Sequence, residues 1–160
     1  MPRALFIGRF QPFHRGHYHA VKTLQRDYDL VVGIGSAQKS HEPENPLIFE
    51  ERKTIVQHCF PDLEIVRLDD RDDDDDWMDH IEDTITFDLG VSGNDHVRRI
   101  FEGRGVPIQH PDYRDPERFS GTRIRDKIRA GEKWSHLVPD CSRTKLAAYD
   151  FAARVKNSSQ

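Results

Sequence analysis

Strand-like and helix-like segments alternate along most of this chain. Short apolar runs, two of them ending in glycine, indicate buried strands, whereas apolar residues at helical spacing indicate amphipathic helices. The predicted strands are residues 4–8, 30–35, 63–68, 87–91 and 106–109. The predicted helices are residues 16–26, 49–59, 77–84, 95–102, 121–130, a short piece near Trp134, and 140–156. This alternation predicts an α/β fold, a parallel sheet of about five strands with helices on both faces and a helical C-terminal end.

The length and charge of the chain limit what it can be. With 160 residues, we expect a single domain, 1–160, with the C-terminal helices (121–156) packed on it. The formal net charge of −4 argues against a protein that coats nucleic acid, because such a protein normally has a basic excess. No apolar stretch approaches membrane-spanning length, and the N-terminal apolar run is too short for a signal peptide. We therefore expect a soluble, cytoplasmic protein without nucleic-acid or membrane partners.

Two local features have a simple interpretation. Cys59 and Cys141 lie far apart in the sequence and lack metal-type spacing, so we expect two reduced thiols. Residues 69–76 are almost all aspartate, which is typical of a solvated acidic loop. A site for a divalent cation is the alternative there, because repelling carboxylates can bind a hard cation.

The first group of chemically active side chains follows the first predicted strand, where ligands of parallel sheets bind. Gly8 lets the backbone turn away from the strand. Gly16 allows close approach at the start of the next helix, where unpaired N–H groups and a partial positive charge favour phosphate. His14 and His17 can donate to phosphate oxygens, and Arg9 adds a permanently charged donor. The segment predicts a phosphate site, and we predict no metal site formed by the protein.

Three further polar clusters follow predicted strands or open predicted helices. Residues 35–41 combine small residues and hydroxyls, which suit a ligand-binding loop and equally an ordinary turn. Residues 92–95 suit either a ligand contact or a helix N-cap. Residues 119–125 can bring the hydroxyls of Ser120 and Thr122, free helix N–H groups and Arg125 together. Such a cluster favours a polyphosphate over a plain capped helix.

Two of these motifs give the chain a family resemblance. The pair His14-Arg15-Gly16-His17 and Ser120-Gly121-Thr122-x-x-Arg125 is similar to the signature of the HxGH nucleotidyltransferase superfamily. Longer stretches resemble the archaeal-type nicotinamide-nucleotide adenylyltransferases, namely residues 8–17, 35–41 and 44–46, Glu51-Arg52, Trp77, Ser92-Gly93-Asn94 and residues 131–134. The resemblance extends from about residue 4 to about residue 139 and leaves the last twenty residues unmatched.

The resemblance implies a Rossmann-like nucleotidyltransferase fold and the synthesis of NAD from ATP and nicotinamide mononucleotide, with release of pyrophosphate. It also implies assistance by Mg²⁺ or another divalent cation, and a homo-oligomer, often a hexamer. The residues with an implied catalytic role are His17, His14, Arg9 and Arg125. Those implied to bind ATP or NAD are Gly8, Phe10, Gln11, Phe13, Gly16, Ser36, Gln38, Ser40, His41, Asn45, Trp77, Ser92, Gly93, Asn94, Phe119, Ser120, Gly121 and Thr122.

The residue inventory fits phosphate chemistry without a general base. A phosphate monoester is largely dianionic at neutral pH, with a second pKa of about 6, and can itself act as nucleophile. We therefore expect catalysis by alignment and charge stabilisation, with His17 nearest the α-phosphate. Trp77 is expected to stack on the nicotinamide ring, with a core position as the alternative. Ser92 and Asn94 are expected at the adenosine end.

The chain departs from the family pattern in the acidic run, where Asp74 stands in place of an expected asparagine, and at Asp95-His96, where a more apolar pair is expected. Three other functions stay open. A sibling nucleotidyltransferase could use another acceptor, by adenylyl transfer to pantetheine phosphate or by cytidylyl transfer. A non-catalytic module could sense NAD or ATP. A fragment of an aminoacyl-tRNA synthetase would share the histidine motif, but a Lys-Met-Ser-Lys-Ser-like loop is lacking.

Overall fold

Five parallel strands form one sheet within residues 1–158, the part of the chain that the computed structural model describes. The strands are β1 (Arg3–Gly8), β2 (Asp29–Ile34), β3 (Glu64–Arg67), β4 (Leu89–Val91) and β5 (Ile108–Gln109). Their order in the sheet is β3-β2-β1-β4-β5. The chain therefore fills one side of β1 first and then crosses to the other side, which places the topological switch point between β1 and β4. The predicted α/β fold is confirmed.

Helices cover both faces of this sheet. They are α1 (Arg15–Asp27), α2 (Phe49–Cys59), α3 (Asp74–Thr84), α4 (Asp95–Gly103), α5 (Gly121–Arg129), a 3₁₀ turn (Ser135–Leu137), α6 (Asp140–Ala148) and α7 (Phe151–Ser158). Ala4 and Phe6 of β1 pack with α1, α2 and the C-terminal helices, whereas Leu5 and Ile7 pack with α3 and α4. This alternation follows from the two-residue period of a strand. No helix in the described part of the chain is long and apolar enough to cross a membrane.

Helix α3 begins at Asp74, whereas the sequence predicts a start at residue 77. The carboxylate of Asp73 accepts a hydrogen bond of 2.7 Å from the Asp76 N–H and caps the helix. Aspartates fill the first turn, where the helix dipole favours negative charge. The prediction of one acidic loop over residues 69–76 was therefore wrong for its second half. Within residues 1–158 no group of three or more His, Cys, Asp or Glu side chains could hold a metal ion.

The C-terminal segment predicted as a helix over residues 140–156 is divided into α6 and α7. Asp150 separates them with a φ of 52°, in the left-handed region that interrupts a right-handed helix. Both helices belong to the core, through Leu146, Phe151 and Val155. Helix α6 also reaches the loop after β1, because the buried Ser142 hydroxyl donates to the Phe13 carbonyl oxygen at 2.7 Å.

Cys59 and Cys141 form a disulfide bond between the end of α2 and the start of α6. The expectation of two reduced thiols was therefore wrong. The two positions are 82 residues apart in the sequence, and only the packing of α6 against α2 brings them together. A cross-link over so long a segment restricts the unfolded chain.

Reduction of this disulfide is predicted to destabilise the fold. Loss of such a cross-link raises the conformational entropy of the unfolded chain and typically costs about 2–5 kcal/mol. Urea denaturation followed by circular dichroism should show this decrease in the free energy of unfolding when dithiothreitol is added. The double variant Cys59→Ala, Cys141→Ala is the control, since dithiothreitol should leave its midpoint unchanged. A wild-type midpoint that does not move on reduction would contradict the prediction.

Candidate active site

A cavity of about 830 Å³ opens beyond the C-terminal ends of β1 and β4. Its wall includes residues 92–94 after β4, residues 119–122 at the start of α5, and residues 7–11, which form the end of β1 and the loop that follows it. The loop after β2 contributes Gly35 and Ser36. This position is the switch point of the sheet, where ligands of such folds bind. The polar clusters found in the sequence therefore meet at one place.

Most of the predicted site residues line this cavity. They are Gly8, Arg9, Phe10, Gln11, His14, His17, Ser36, Trp77, Ser92, Gly93, Asn94, Phe119, Ser120, Gly121, Thr122 and Arg125. Those placed outside its wall are Phe13, Gly16, Gln38, Ser40, His41 and Asn45. Phe13 packs in the core, and the Gln38 amide is hydrogen-bonded to Asp70. Ligand contacts of these outer residues stay predictions.

His14 and His17 lie side by side, with ring centroids 3.6 Å apart. Nδ1 of His14 accepts hydrogen bonds from the N–H groups of Gly16 and His17, at 3.0 and 3.3 Å. Nδ1 of His17 accepts from the His14 N–H at 3.1 Å. Because each Nδ1 is an acceptor, each neutral ring carries its proton on Nε2. The backbone therefore selects a tautomer that leaves both Nε2–H groups as donors.

Burial keeps these two rings neutral. Desolvation lowers the pKa of His14 from 6.5 to about 3. The pKa of His17 also lies well below its ordinary value, because of burial and, secondarily, the neighbouring His14. Protonation would also place a proton on each Nδ1, opposite a backbone N–H, and would break the cap of α1. Both side chains therefore act as uncharged hydrogen-bond donors at neutral pH.

The free helix N–H groups lie at α5 and not at α1. In the first turn of α1, N–H groups donate to the His14 imidazole, which contradicts the expectation that they are unpaired. At α5, the Ser120 hydroxyl accepts from the Arg123 N–H at 3.0 Å. The N–H groups of Gly121 and Thr122 have no partner among residues 1–158. Helix α5 therefore offers the donors and the partial positive charge that suit an anion.

Three arginines line the cavity, and two of them, Arg9 and Arg125, lie close enough for their charges to interact. Arg125 is buried and donates to the Gln11 carbonyl oxygen at 2.7 Å and to the Thr122 hydroxyl at 3.4 Å. Burial and, secondarily, the charge of Arg9 lower the pKa of Arg125 to about 10, so it stays charged at neutral pH. Arg9 is half-exposed, and its Nη1 lies 3.8 Å from a carboxylate oxygen of Glu44. Two neighbouring cations in a partly buried cavity favour an anion between them.

Trp77, Ser92 and Asn94 each have a structural role and also face the cavity. The Trp77 ring packs against Phe101, with centroids 6.4 Å apart. Trp77 is only partly buried, so it lies at the edge of the core and also faces the cavity. The Asn94 side chain caps α4 by accepting from the Val97 N–H at 3.1 Å. The Ser92 hydroxyl accepts from the Asn94 N–H at 3.1 Å. The N-cap interpretation of residues 92–95 is therefore confirmed, and it does not exclude ligand contact.

Arg52 organises the loops that carry the site. Its side chain is fully buried, and its guanidinium donates to the carbonyl oxygens of Arg9, Gly35, Ser36, Ala37, Lys39 and Ile48. Among residues 1–158 no carboxylate lies within ion-pair distance of it. Carbonyl dipoles therefore satisfy a buried charge that usually requires a counter-ion. Burial, with the charges of Arg67 and Arg9, lowers the pKa of Arg52 to about 10.

Comparison with known proteins agrees with this geometry. The cytidylyltransferase-like family model matches residues 5–127. The nicotinamide-nucleotide adenylyltransferase of Methanolobus tindarius is 40% identical over 166 residues, which cover 100% of this chain and 96% of that protein. The chain belongs to the nicotinamide-nucleotide adenylyltransferases of the cytidylyltransferase-like family. The similarity includes the last twenty residues, which the sequence left unmatched.

Solved structures share the fold of this family member. A bifunctional NMN adenylyltransferase/ADP ribose pyrophosphatase from Francisella tularensis, complexed with AMP and a Mn ion, superposes with a TM-score of 0.72 at 20% identity. The similarity covers 99% of this chain and 53% of that protein, so the chain spans about half of the bifunctional protein. A NadR protein in complex with NAD and AMP-PNP covers 81% of this chain and superposes with a TM-score of 0.59 at 17% identity.

The cavity of this adenylyltransferase-family chain also contains residues that the sequence did not assign to the site. They are Ile7, Asp70, Arg71, Asp74, His96, Val97, Ile100, His110, Tyr113 and Pro116. Tyr113 lies next to both histidines, with its ring centroid 5.6 Å from that of His17 and 6.1 Å from that of His14. It lies in the irregular segment between β5 and α5, where no periodicity marks a buried side chain. The only sequence feature that points to Tyr113 as a site residue is its position shortly before the Ser120 motif.

Replacement of Arg52 is predicted to destabilise this family member strongly. Arg52→Lys retains the charge but offers fewer donors without the planar fork, so buried carbonyl oxygens lose their partners. We expect the free energy of unfolding to fall by about 3 kcal/mol or more, measured by urea denaturation. Arg26→Lys, at an exposed position of α1, is the matched control and should change it by less than about 0.5 kcal/mol. Equal effects of the two variants would rule out this role.

His14 and His17 of this family member should not titrate near neutral pH. Because the pKa of His14 in the folded chain is below that of the unfolded chain, the unfolded state takes up the proton first as the pH falls. The contribution of His14 to the free energy of unfolding is therefore full above about pH 6.5. Below that pH it decreases by about 1.4 kcal/mol per pH unit. Imidazole NMR resonances, assigned with His14→Gln and His17→Gln, should stay constant from about pH 8 to about pH 5. A titration midpoint near pH 6.5 for either ring would show that burial does not keep that ring neutral.

Proposed function

We propose that this chain transfers the adenylyl group of ATP to nicotinamide mononucleotide, forming NAD and pyrophosphate. Membership of the family supports this reaction. The observation that carries it is a single cavity in which two neutral imidazole donors, two guanidinium groups and a free helix N-terminus accompany the Trp77 indole. These donors suit a polyphosphate, and the indole suits a flat ring that can stack on it.

The chemical step is an in-line displacement at the α-phosphorus of ATP. A phosphate oxygen of nicotinamide mononucleotide forms a bond to this phosphorus. The bond from phosphorus to the oxygen that bridges to the β-phosphate breaks, and pyrophosphate leaves with the electron pair. Because the attacking phosphate is already largely dianionic at neutral pH, no protein group has to remove a proton. The chain therefore needs only to align the reactants and to stabilise the negative charge.

The roles of the residues follow from their positions in the cavity. We assign the Nε2–H groups of His17 and His14 to the ATP phosphates, with His17 nearest the α-phosphate. Arg9, Arg125 and the free N–H groups at the start of α5 are assigned to the β- and γ-phosphates. His14, His17 and Arg125 are buried and hydrogen-bonded before the substrate arrives. Such preorganised donors are the main source of transition-state stabilisation in phosphoryl transfer.

The nucleoside ends have their own contacts in this proposal. Trp77 is assigned to the nicotinamide ring, and its edge-on packing against Phe101 keeps the indole in place. Ser92 and Asn94 are assigned to the adenosine end. Both are already ordered by the cap of α4, so little side-chain entropy is lost on binding.

We propose that Mg²⁺ enters the cavity bound to the phosphates of ATP. Within residues 1–158 there is no group of three or more His, Cys, Asp or Glu side chains that could hold it. Mg²⁺ usually keeps several water ligands and binds through substrate phosphates, so a protein cage is not required. The ion supplies charge neutralisation to the leaving pyrophosphate when it is present. No residue of this chain is assigned as its ligand.

The proposal extends to the organisation and location of the protein. A single domain over residues 1–160 is supported by one apolar cluster that includes residues from Ala4 to Val155. We propose a homo-oligomer, with a hexamer as the expected form, which light scattering can test. A cytoplasmic location would place the enzyme where its substrate ATP is available.

An acceptor panel tests the function. Pure protein is incubated with ATP, Mg²⁺ and one acceptor at a time, and pyrophosphate release is measured. Nicotinamide mononucleotide should release pyrophosphate with formation of NAD, whereas pantetheine phosphate should not. Turnover with pantetheine phosphate, or with CTP in place of ATP, would identify a sibling enzyme. Binding of NAD in a calorimeter without any pyrophosphate release would identify a sensing module.

His17→Ala is predicted to lower kcat by about 10²- to 10³-fold, because it removes a donor that acts in the transition state. The KM values for ATP and nicotinamide mononucleotide should change much less. His19→Ala is the matched control, since His19 lies on the same helix but pairs with Asp112 outside the cavity wall. Near-normal kcat in His17→Ala, with the fold intact by circular dichroism, would refute the assignment.

A further inference from the structure

Phe13 connects the two cavity histidines to the C-terminal helices. Its side chain is buried, and its ring lies nearly parallel to that of His17, with centroids 5.5 Å apart and an angle of 17° between the planes. Its carbonyl oxygen belongs to the peptide bond that leads into His14, the N-cap of α1. A displacement of Phe13 therefore moves the His17 ring through packing and the His14 ring through the backbone.

Two contacts from distant segments hold Phe13 in place. The Ser142 hydroxyl, in the first turn of α6, donates to its carbonyl oxygen at 2.7 Å. The Phe60 ring, at the end of α2, packs edge-on against the Phe13 ring, with centroids 6.3 Å apart. Phe13 therefore keeps its position only if α2 and α6 keep theirs relative to each other.

The Cys59–Cys141 disulfide joins these two segments. Cys59 immediately precedes Phe60, and Cys141 immediately precedes Ser142. Each contact to Phe13 is therefore one residue away from the covalent bond. Once the bond is broken, noncovalent packing of α6 against α2 has to hold both contacts in place.

The disulfide is within reach of small thiols, because both of its residues are half-buried and neither is enclosed in the core. A dithiol reductant can attack one sulfur as a thiolate, form a mixed disulfide and then displace the protein with its second thiol. The protein gains two electrons and two protons as two thiols, and the reductant becomes a cyclic disulfide. In the cytoplasm, the location proposed for this chain, disulfides are typically redox-sensing or catalytic bonds.

We propose that the Cys59–Cys141 disulfide is a redox switch for the adenylyl transfer, with Ser142 as the positioning residue that transmits its state to the histidines. The inference rests on the proposed function and adds regulation to that same site. In the oxidised chain, the loop before His14 is fixed and both Nε2–H donors are aligned. In the reduced chain, Phe13 gains freedom, the donors spend less time in the aligned geometry, and kcat falls.

Reduction should act on kcat and leave substrate affinity largely unchanged. The Gln11 carbonyl oxygen accepts from the Arg125 guanidinium, and Arg52 holds the loop that carries Arg9. Neither contact involves α6. Binding of the ATP phosphates should therefore persist, whereas alignment at the α-phosphorus is lost in part.

Kinetics at a controlled thiol state test the proposal. Wild-type protein reduced by dithiothreitol, with its fold intact by circular dichroism, should have a kcat about three- to tenfold below that of the oxidised protein. The KM values for ATP and nicotinamide mononucleotide should change by less than about twofold. Reoxidation should restore kcat. The double variant Cys59→Ala, Cys141→Ala should have the lower kcat and should not respond to dithiothreitol.

Ser142→Ala separates the proposed path from general stabilisation, since it keeps the disulfide and removes the hydrogen bond to Phe13. Its oxidised form should lose about three- to tenfold in kcat, and reduction should lower kcat much less than in wild type, because both changes act through one contact. Thr144→Ala is the matched control. The Thr144 hydroxyl donates to the Asp140 carbonyl oxygen within α6, so this variant should keep the wild-type kcat and the wild-type response.

A spectroscopic signature accompanies the change in rate. Because the Phe13 ring stacks on His17, reduction should shift the imidazole NMR resonances of His17, assigned with His17→Gln. Those of His80, on α3 at the other face of the sheet, should stay constant. A cross-link that only stabilises the whole fold would leave both sets unchanged.

The outcomes separate this inference from the proposed function. Equal kcat values for oxidised and reduced wild type, or a fall in kcat that occurs only together with loss of the circular dichroism signal, would overturn the switch. An unchanged kcat in Ser142→Ala, or an equal loss in Thr144→Ala, would do the same. All of these results leave the reaction intact. Absence of pyrophosphate release from the oxidised protein would instead overturn the proposed function.

Discussion

The guanidinium of Arg52 is the interaction on which the site depends. The loops after β1 and β2 are irregular, so their carbonyl oxygens are outside the regular hydrogen-bond pattern of a strand or helix. By donating to both loops at once, Arg52 ties them to α2 and to each other. Arg9 and Ser36 then enter the cavity from fixed backbone positions. A buried cation without a carboxylate is costly in general, and here the six carbonyl oxygens that accept from the guanidinium offset that cost.

The donors in the cavity divide into two electrostatic classes. His14 and His17 are neutral and are locked in one tautomer by the backbone. Arg9 and Arg125 are permanent cations. A neutral donor can form a hydrogen bond near the phosphorus without forming an unproductive ion pair with the anionic nucleophile. Cations suit the β- and γ-phosphates, which take up negative charge as pyrophosphate leaves. In the proposed reaction, the burial that lowers the pKa of the histidines would therefore separate alignment from charge stabilisation.

The fold and much of the site could be predicted from local sequence signals. The bounds of α2, residues 49–59, were predicted as observed, because apolar spacing marks a buried helix face. The start of α3 was missed because the capping Asp73 stands in a run of identical residues. Unpaired N–H groups were expected at both α1 and α5, and the expectation failed at α1 because the sequence does not show that the His14 ring turns back on its own helix. The structural role of Arg52 and the place of Tyr113 in the cavity could not be predicted, because both arise only from contacts between distant segments.

The hydrogen bond from Ser142 to the Phe13 carbonyl oxygen has a consequence for the order in which the protein is made. The residue before His14 is held by a helix that is synthesised more than a hundred residues later. During translation, the nascent chain can form β1 and α1 early, but the histidine loop has no support on that side until α6 has left the ribosome. A chain that lacks α6 therefore lacks one of the hydrogen bonds that hold the loop before His14.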